Sequence, residues 1–196
     1  HRPAVPALID LLVRTDNADA FLRHAAIFGL EQIGDLDAIL AYADHDSAAV
    51  RLAVLVLLRR AQDPRIARYL NDPDPRLVRE TIAAINDARI DSAEPALAAH
   101  LRSYLKADAV LPTTLSFDRM INAAFRQGQA DTLRTLLDVG AATHLPERIR
   151  SAALFRLERW DNPSIVHPPL GQMRSYPPDR HQDANMINAA VTAQHP

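Results

Sequence analysis

The stretch Asp72-Pro-Asp-Pro-Arg-Leu-Val-Arg-Glu-Thr-Ile-Ala-Ala-Ile85 has the features of a helix that opens a structural repeat. Asp74 precedes Pro75, and an aspartate followed by a proline at the first helical position is a strong helix-start signal, because the carboxylate accepts from the first free N–H groups. Ile82 and Ile85 then recur at helical spacing, which predicts one buried face. The stretch is therefore predicted to be a capped amphipathic helix.

A shorter phrase within this stretch recurs along the chain: an arginine followed, two and three positions later, by small or aliphatic residues. The arginines of the phrase are Arg23, Arg51, Arg79, Arg119 and Arg150. The first three are 28 residues apart, and the later intervals are 40 and 31 residues. Because a period of this length holds two short helices, the sequence predicts stacked helix pairs.

Acidic caps and helix breakers place the other helix boundaries. Asp46 is predicted to cap the helix that contains Arg51, and Asp35 and Asp63 are predicted to cap second helices of the pairs. Asp91 with Glu94 has the spacing of a capping box. Gly140 is predicted to stop a helix. The second helices of the first three pairs are predicted at 36–43, 65–70 and 96–105. A fourth pair is predicted at 115–127 and 130–139, followed by a last single helix at 146–160. Negligible β structure is expected, since no long segment alternates apolar and polar residues.

The phrase at 72–85 and its second copy, Asp46-Ser-Ala-Ala-Val-Arg-Leu-Ala-Val54, resemble the HEAT-repeat consensus, in which an Asp-Pro turn and a Val-Arg pair lead into a helix of small residues. The resemblance implies an all-α fold, a right-handed α-solenoid of antiparallel helix pairs. Residues 1–160 would then hold about four and a half pairs, truncated at both ends. Two of the first helices depart from the pattern, because Asn122 and Arg156 occupy positions where apolar residues are expected.

A narrower resemblance lies in Arg150-Ser-Ala-Ala-Leu-Phe-Arg-Leu-Glu-Arg-Trp-Asp-Asn-Pro163, followed by Leu170-Gly-Gln-Met-Arg174 and Pro178-Asp-Arg180. These phrases are similar to the HEAT segment of large secreted bacterial membrane-bound dehydrogenases. In that family a sugar-dehydrogenase-like β-propeller precedes the helices and a c-type cytochrome domain follows them. The resemblance implies an exported or periplasmic protein.

Composition excludes several classes of function. The 22 basic residues, all arginine except one lysine, face 24 acidic residues, and the net charge of −2 argues against nucleic-acid binding. The absence of cysteine excludes disulfides, thiolate zinc sites, a cysteine nucleophile and a covalently attached c-type haem from these 196 residues. The apolar runs are too short to cross a bilayer, so no membrane insertion is expected.

The recurring arginines allow two interpretations. Identical positions in stacked repeats line up in space, so these side chains could form a ligand-binding stripe. The preferred interpretation is structural: the guanidinium groups bond carboxylates near the inter-repeat turns, such as Asp46, Asp72 or Asp74, and open carbonyls at helix ends.

The eight histidines do not predict a metal site. His24, His45, His100 and His144 fall on different predicted helices and turns. His167 and His181, with Asp179 and Asp183 nearby, could gather in one loop, and solvated loop histidines are the preferred interpretation. No catalytic, cofactor-binding or metal-binding residue is predicted.

The C-terminal region, 161–196, differs in composition from the rest. It follows Trp160, and six of the 14 prolines lie between Pro163 and Pro196. Because proline cannot continue a helix and keeps the chain extended, this region is predicted to be a Pro-rich strap that covers the end of the array beside Trp160. A further helix is predicted to begin at 185–192, and disorder of the strap is the alternative.

The leading functional hypothesis is a non-catalytic protein-interaction or spacer module of a larger multidomain protein. The alternative is an enzyme-associated domain that contributes to an active site supplied by other domains of the same protein. Nucleic-acid binding, the third class, is disfavoured by charge. The expected partners are a protein or neighbouring domains, with the oligomeric state left open, and the resemblance implies a position between a dehydrogenase-like propeller and a cytochrome domain of an exported protein.

Overall fold

The computed structural model describes residues 2–163, 166–167, 172–173, 176 and 187. This part of the chain is helical apart from one short antiparallel pair of strands, which confirms the all-α prediction. Its α-helices are α1 (Val5–Thr15), α2 (Ala20–Ile33), α3 (Leu36–Leu40), α4 (Ala48–Arg60), α5 (Pro75–Asp87), α6 (Glu94–His100), α7 (Thr114–Gln127), α8 (Ala130–Ala141) and α9 (Glu147–Leu157). Short 3-10 segments are Arg2–Ala4, Pro64–Asn71, Asp91–Ala93 and Leu101–Leu105. The strands are β1 (Val166–His167) and β2 (Gln172–Met173).

The chain divides into two compact units. The first comprises His1–Ala84 and Ala88–Ile90, and the second comprises Ile85–Asp87 and Asp91–Pro196. In the described residues, no helix is both long enough and apolar enough to span a bilayer.

The core of the first unit forms around α4. This helix contacts α1, α2, α3 and the 3-10 segment Pro64–Asn71. Its apolar residues surround the helix rather than forming one stripe, which is the pattern of a helix buried on most sides. The buried residues of α4 are Ala49, Val50, Ala53, Val54, Leu55, Leu57 and Leu58. Each fully buried valine or leucine contributes about 1.5–3 kcal/mol, so α4 organises this unit.

The second unit is organised by α7, which packs against α6, α8 and α9. Phe117, Met120 and Phe125 of α7 are buried. Trp160, just after α9, is fully buried, and its ring meets that of Phe125 edge-on with the centroids 5.7 Å apart. Tyr176 also packs its ring edge-on against Phe125, at 5.6 Å. A cluster of aromatic rings therefore joins α7 to the chain that follows α9.

Three aspartates cap helices as the sequence predicts. Asp35 accepts from the backbone N–H of Ala38, and Asp63 accepts from that of Arg65. Asp74 accepts from the backbone N–H of Arg76 in the first turn of α5, with Pro75 at the first helical position. The cap predicted at Asp46 is wrong: α4 begins one residue later, with Ser47 at the N-cap position and no side-chain cap bond. These caps satisfy backbone donors that the helix itself leaves open.

Several other boundaries differ from the prediction. The helix predicted at 65–70 is a 3-10 segment, and the one predicted at 96–105 is α6 followed by 3-10 turns. Gly140 lies inside α8, where an added Cβ would come within 2.7 Å of Leu154 Cδ2, so the glycine permits close approach of α9. Left-handed glycines end two other helices: Gly34 ends α2 with a φ of 70°, and Gly128 ends α7 with a φ of 64°.

Most of the predicted C-terminal strap lies outside the described residues. Of the helix predicted at 185–192, only Ile187 is described.

Candidate functional site

The Arg51 side chain ties the start of α4 to the turn before α5. Its Nε and Nη2 donate to the two carboxylate oxygens of Asp72 at 2.8 and 3.0 Å. Its Nη1 donates to the carbonyl oxygens of His45 and Asp46, both at 2.8 Å. The hydrogen bond to Asp72 raises the pKa of Arg51, although burial opposes it. Arg51 therefore makes both kinds of contact that the structural interpretation of the arginines requires.

The other arginines of the phrase are used unequally. Arg119 makes a bidentate pair with Asp87, at 2.9 and 2.5 Å, and Arg23 donates to the Asn17 carbonyl at 3.3 Å. Arg79 is half exposed, with its nearest carboxylate 3.9 Å away. Arg150 has a buried Nε without a hydrogen-bond acceptor in the described part of the chain. The same sequence phrase thus gives two carboxylate clamps rather than a continuous ladder.

A pocket of about 300 Å³ lies between α7 and α9, and it contains both residues that break the repeat pattern, Asn122 and Arg156. The lining residues are Asp118, Ile121 and Asn122 from α7 and Arg148, Ala152, Phe155 and Arg156 from α9. Spacings of three, four and eight residues place each set on one helix face. The packing of α7 on α9 brings the two faces together.

Arg156 is the most unusual side chain of this pocket. Arg156 is only 9% exposed, and it forms no hydrogen bond or ion pair with the residues that the structure describes. Its guanidinium carbon lies 5.7 Å from the ring centroid of Phe125 and 5.8 Å from that of Phe155. Burial lowers the pKa of Arg156, while Tyr176 and Asp118 act in the opposite direction. An arginine stays protonated even so, and a positive charge is therefore present in the pocket lining.

The rest of the pocket combines charge with apolar surface. Asn122 is buried and donates from its amide nitrogen to the Asp118 carbonyl at 2.6 Å. Arg148 is exposed at the rim, and Phe155 is 45% exposed. Two arginines against one aspartate give the lining a formal charge of +1. Chemically, the pocket can accept a monoanion that carries an apolar group.

A buried ion pair that the sequence did not reveal lies on the same helix as Asn122. Arg126 of α7 donates from Nε and Nη2 to the two Glu94 oxygens at 3.1 and 2.5 Å, and Nη2 also donates to Asn86 Oδ1 at 3.1 Å. Both charged side chains are less than a tenth exposed. The capping box predicted for Asp91 and Glu94 is wrong, because α6 begins at Glu94 itself with Ala93 at the N-cap position. The spacing between Asp91 and Glu94 does not indicate that Glu94 pairs with Arg126.

Two further pockets lie in the first unit. One is an open polar cleft around the Arg51–Asp72 pair, which also contains Arg68 paired with Asp44 at 2.7 Å. The other is lined by apolar residues of α2, α3 and α4, with the Glu31–Arg60 ion pair at its edge. Arg51, Arg60 and Arg68 in these pockets are each paired with a carboxylate, whereas Arg156 has no such bond among the described residues.

The described histidines are spread over the structure, and His45 lines the polar cleft, where its carbonyl accepts from Arg51. His45 Nδ1 accepts from the Ser47 N–H at 3.0 Å, His100 bonds the Tyr104 hydroxyl at 3.1 Å, and His144 lies 3.3 Å from the Tyr104 carbonyl. Among the described residues, no three His, Asp or Glu side chains gather as metal ligands. The loop predicted to gather His167 and His181 lies outside the described side chains.

The resemblances to HEAT repeats and to the dehydrogenase segment rest on the quoted sequence phrases. Comparison of the chain with protein-family models, curated proteins and solved structures finds no match.

Proposed function

We propose that this chain is a non-catalytic protein-interaction or spacer module of a larger multidomain protein. The observation that supports it most directly is an exposed apolar surface on the α1–α2 pair. Phe21 and Phe28 of α2 are 88% and 52% exposed, and Leu22 and Val13 are 42% and 40% exposed. Aromatic residues dominate the energetics of protein interfaces, and a group of exposed apolar side chains marks an interaction site.

The spacing of these residues fits one binding face. Phe21 and Phe28 are seven residues apart, which is two helical turns, so they project from the same side of α2. A partner that covered both rings would remove a large apolar area from water at little entropic cost, because each phenylalanine has only two side-chain torsions.

The helix pairs are further proposed to stack as a right-handed HEAT-like solenoid. The 28-residue interval of the arginine phrase and the bidentate Arg51–Asp72 clamp across one repeat support this arrangement. Small-angle X-ray scattering tests it: a solenoid gives a radius of gyration well above the about 16 Å of a compact domain of this length. A value at the compact limit would contradict the stacking.

The parent protein is proposed to be an exported dehydrogenase in which the helices connect a propeller to a c-type cytochrome. The support is the resemblance of the phrase that ends in Trp160-Asp-Asn-Pro163. The full-length gene decides the matter: a signal peptide and strand-rich repeats upstream, with a Cys-x-x-Cys-His downstream, support it. A gene without these elements would contradict the dehydrogenase proposal and leave the proposal of an interaction module without an assigned parent family.

The interaction itself is tested by affinity capture from a native extract with quantitative mass spectrometry. The test variant is Phe21→Ser/Phe28→Ser, and the matched control is Val110→Ser/Leu115→Ser, which removes two exposed apolar side chains from the second unit. A protein, including a second copy of this chain, should be retained by the wild type and the control and lost with the test variant. Equal retention by all three, or none above background, overturns the proposal.

A further inference from the structure

Arg156 is placed where a charged side chain is costly. Buried charges in folded proteins are nearly always paired, since removing a cation from water without an acceptor raises the free energy. Arg126, on the neighbouring helix, follows that rule through Glu94 and Asn86. Arg156 does not: in the described part of the chain it contacts two aromatic rings and no acceptor oxygen. Within the described part of the chain, the pocket therefore holds a largely buried cation that forms no direct bond to an anion, with Asp118 elsewhere in the same lining.

The chemistry of the pocket indicates which anion fits. With Arg148 and Arg156 balanced only by Asp118, one negative charge brings the lining to neutrality, whereas a phosphate dianion would leave an excess. A guanidinium presents a planar fork of donors that matches the two oxygens of a carboxylate. Ile121, Ala152 and the half-exposed Phe155 provide an apolar wall beside it.

We propose that the α7–α9 pocket binds the carboxylate of a glutamate or aspartate side chain that a partner protein inserts, with Arg156 and Arg148 as the binding residues. This inference rests on the proposed interaction function and adds the chemistry of the contact. The apolar wall selects an acidic residue that is followed by an apolar one. Asn122, held by its bond to the Asp118 carbonyl, adds a polar amide to the same lining.

The test uses the full chain and a defined probe, acetyl-Glu-Leu-amide, with acetyl-Gln-Leu-amide as its neutral isostere. Binding is followed by amide shifts in two-dimensional NMR spectra and by fluorescence of Trp160, the single tryptophan, which packs on Phe125. The Glu probe is expected to shift residues of α7 and α9 saturably and to bind at least about tenfold more tightly than the Gln probe, because a hydrogen bond to a charged group is the stronger kind. Equal binding of the two probes overturns the proposal.

Variants assign the binding to the two arginines. Arg156→Met is expected to weaken binding of the Glu probe about tenfold or more, and Arg148→Met severalfold. Arg159→Met is the matched control, because Arg159 stacks on the outside of Phe155 at 3.6 Å and does not line the pocket. The control should change affinity by less than about twofold. An Arg159 effect as large as that of Arg156 would refute the assignment.

Folding does not obscure the result. Arg156→Met removes an unpaired buried charge at similar side-chain length, so its melting temperature should equal or exceed that of the wild type. Arg148 is exposed, and its replacement leaves the core untouched. A large loss of stability in Arg156→Met would show that the arginine is structural and would overturn the proposal.

Two further arms separate the sources of the anion. Inorganic phosphate that competes with the Glu probe more strongly than acetate does would replace the carboxylate assignment with a phosphate site. The capture experiment on Phe21 and Phe28 reports separately on the interaction module. If capture fails while the Glu probe binds through Arg156, the pocket is a carboxylate site, but the proposal that a partner protein supplies the carboxylate is wrong. If capture succeeds and the Glu probe does not bind, the interaction module stands and the assignment of the pocket is wrong.

Discussion

Replacing Arg126 by methionine removes one half of a buried ion pair and should strongly destabilise the second unit. Arg126 and Glu94 are each less than a tenth exposed, and two N–H groups of the guanidinium bond the carboxylate at 3.1 and 2.5 Å. The variant leaves the Glu94 carboxylate in the interior without this cation. Removing one partner of a buried pair costs about 3–5 kcal/mol, because the remaining charge loses that counter-charge.

A loss of this size is a large share of the total stability of a domain, which is about 5–15 kcal/mol. It should be visible as a lower urea midpoint, measured by circular dichroism and by fluorescence of Trp160, which reports on the second unit. The exposed pair Arg159–Glu158 provides the control, and Arg159→Met should cost less than about 1 kcal/mol.

A double variant sharpens the test of the ion pair. Arg126→Met/Glu94→Met replaces both charges by apolar groups, and such replacements restore most of the stability that the single change removes. The double variant is expected to unfold at a higher urea concentration than Arg126→Met. A single variant within about 1 kcal/mol of the wild type, or a double variant less stable than the single, would refute the assignment of a buried coupled pair.

Three more predictions concern stability. Burial lowers the pKa of His100, so as pH falls below about 6.5 the unfolded chain takes up a proton before the folded chain does. The stability that the neutral imidazole contributes is therefore complete above that pH and is lost below it. His100→Gln should reduce the drop in melting temperature between pH 7.5 and 5.5. Asp74→Ala removes a helix cap and should cost about 1 kcal/mol in urea unfolding, whereas Asp46→Ala, outside the N-cap position of its helix, should cost markedly less. Gly140→Ala places a Cβ 2.7 Å from Leu154 Cδ2 and should destabilise the folded chain by about 1 kcal/mol, despite the higher helix propensity of alanine. An unchanged or higher melting temperature would contradict the close approach of α8 and α9.

Local signals in the sequence were enough to predict the helical fold and several helix starts. Asp35, Asp63 and Asp74 each precede a helical segment and make the expected bond to its first turn. Ile82 and Ile85, which their spacing predicts to be in the core, are both fully buried. These predictions succeed because capping and amphipathic spacing depend on residues close together in the chain.

Helix stops were harder to predict, because glycine has two uses that look alike in sequence. Gly128 and Gly140 both come at the end of a segment with helical spacing of apolar residues, but of the two Gly128 alone adopts a positive φ and ends its helix. Gly140 remains helical, and the missing Cβ makes room for Leu154. The distinction depends on how α9 packs against α8, which no local pattern contains.

The candidate site shows the same limit. Asn122 and Arg156 stood out because each interrupts an apolar helix face, and that signal was local. That the two meet in one pocket depends on the packing of α7 against α9, between residues 34 positions apart. For Glu94 the local signal was misleading, since its spacing from Asp91 suits a capping box while its carboxylate bonds Arg126.

Arg126 and Arg156 carry the same group into the interior of the same unit, and the difference between them argues for a ligand. The chain supplies Arg126 with a carboxylate and an amide oxygen, so that arginine is part of the folded core. Among the described residues, the direct contacts of the Arg156 guanidinium are aromatic faces, which stabilise a cation less than a bonded anion does. Arg156 also lines a pocket that opens to solvent. A chain selected for stability alone would gain from an apolar residue at this position. The cost is understandable if the missing carboxylate arrives with a partner, because the same desolvation that destabilises the free guanidinium strengthens its bond to the incoming anion.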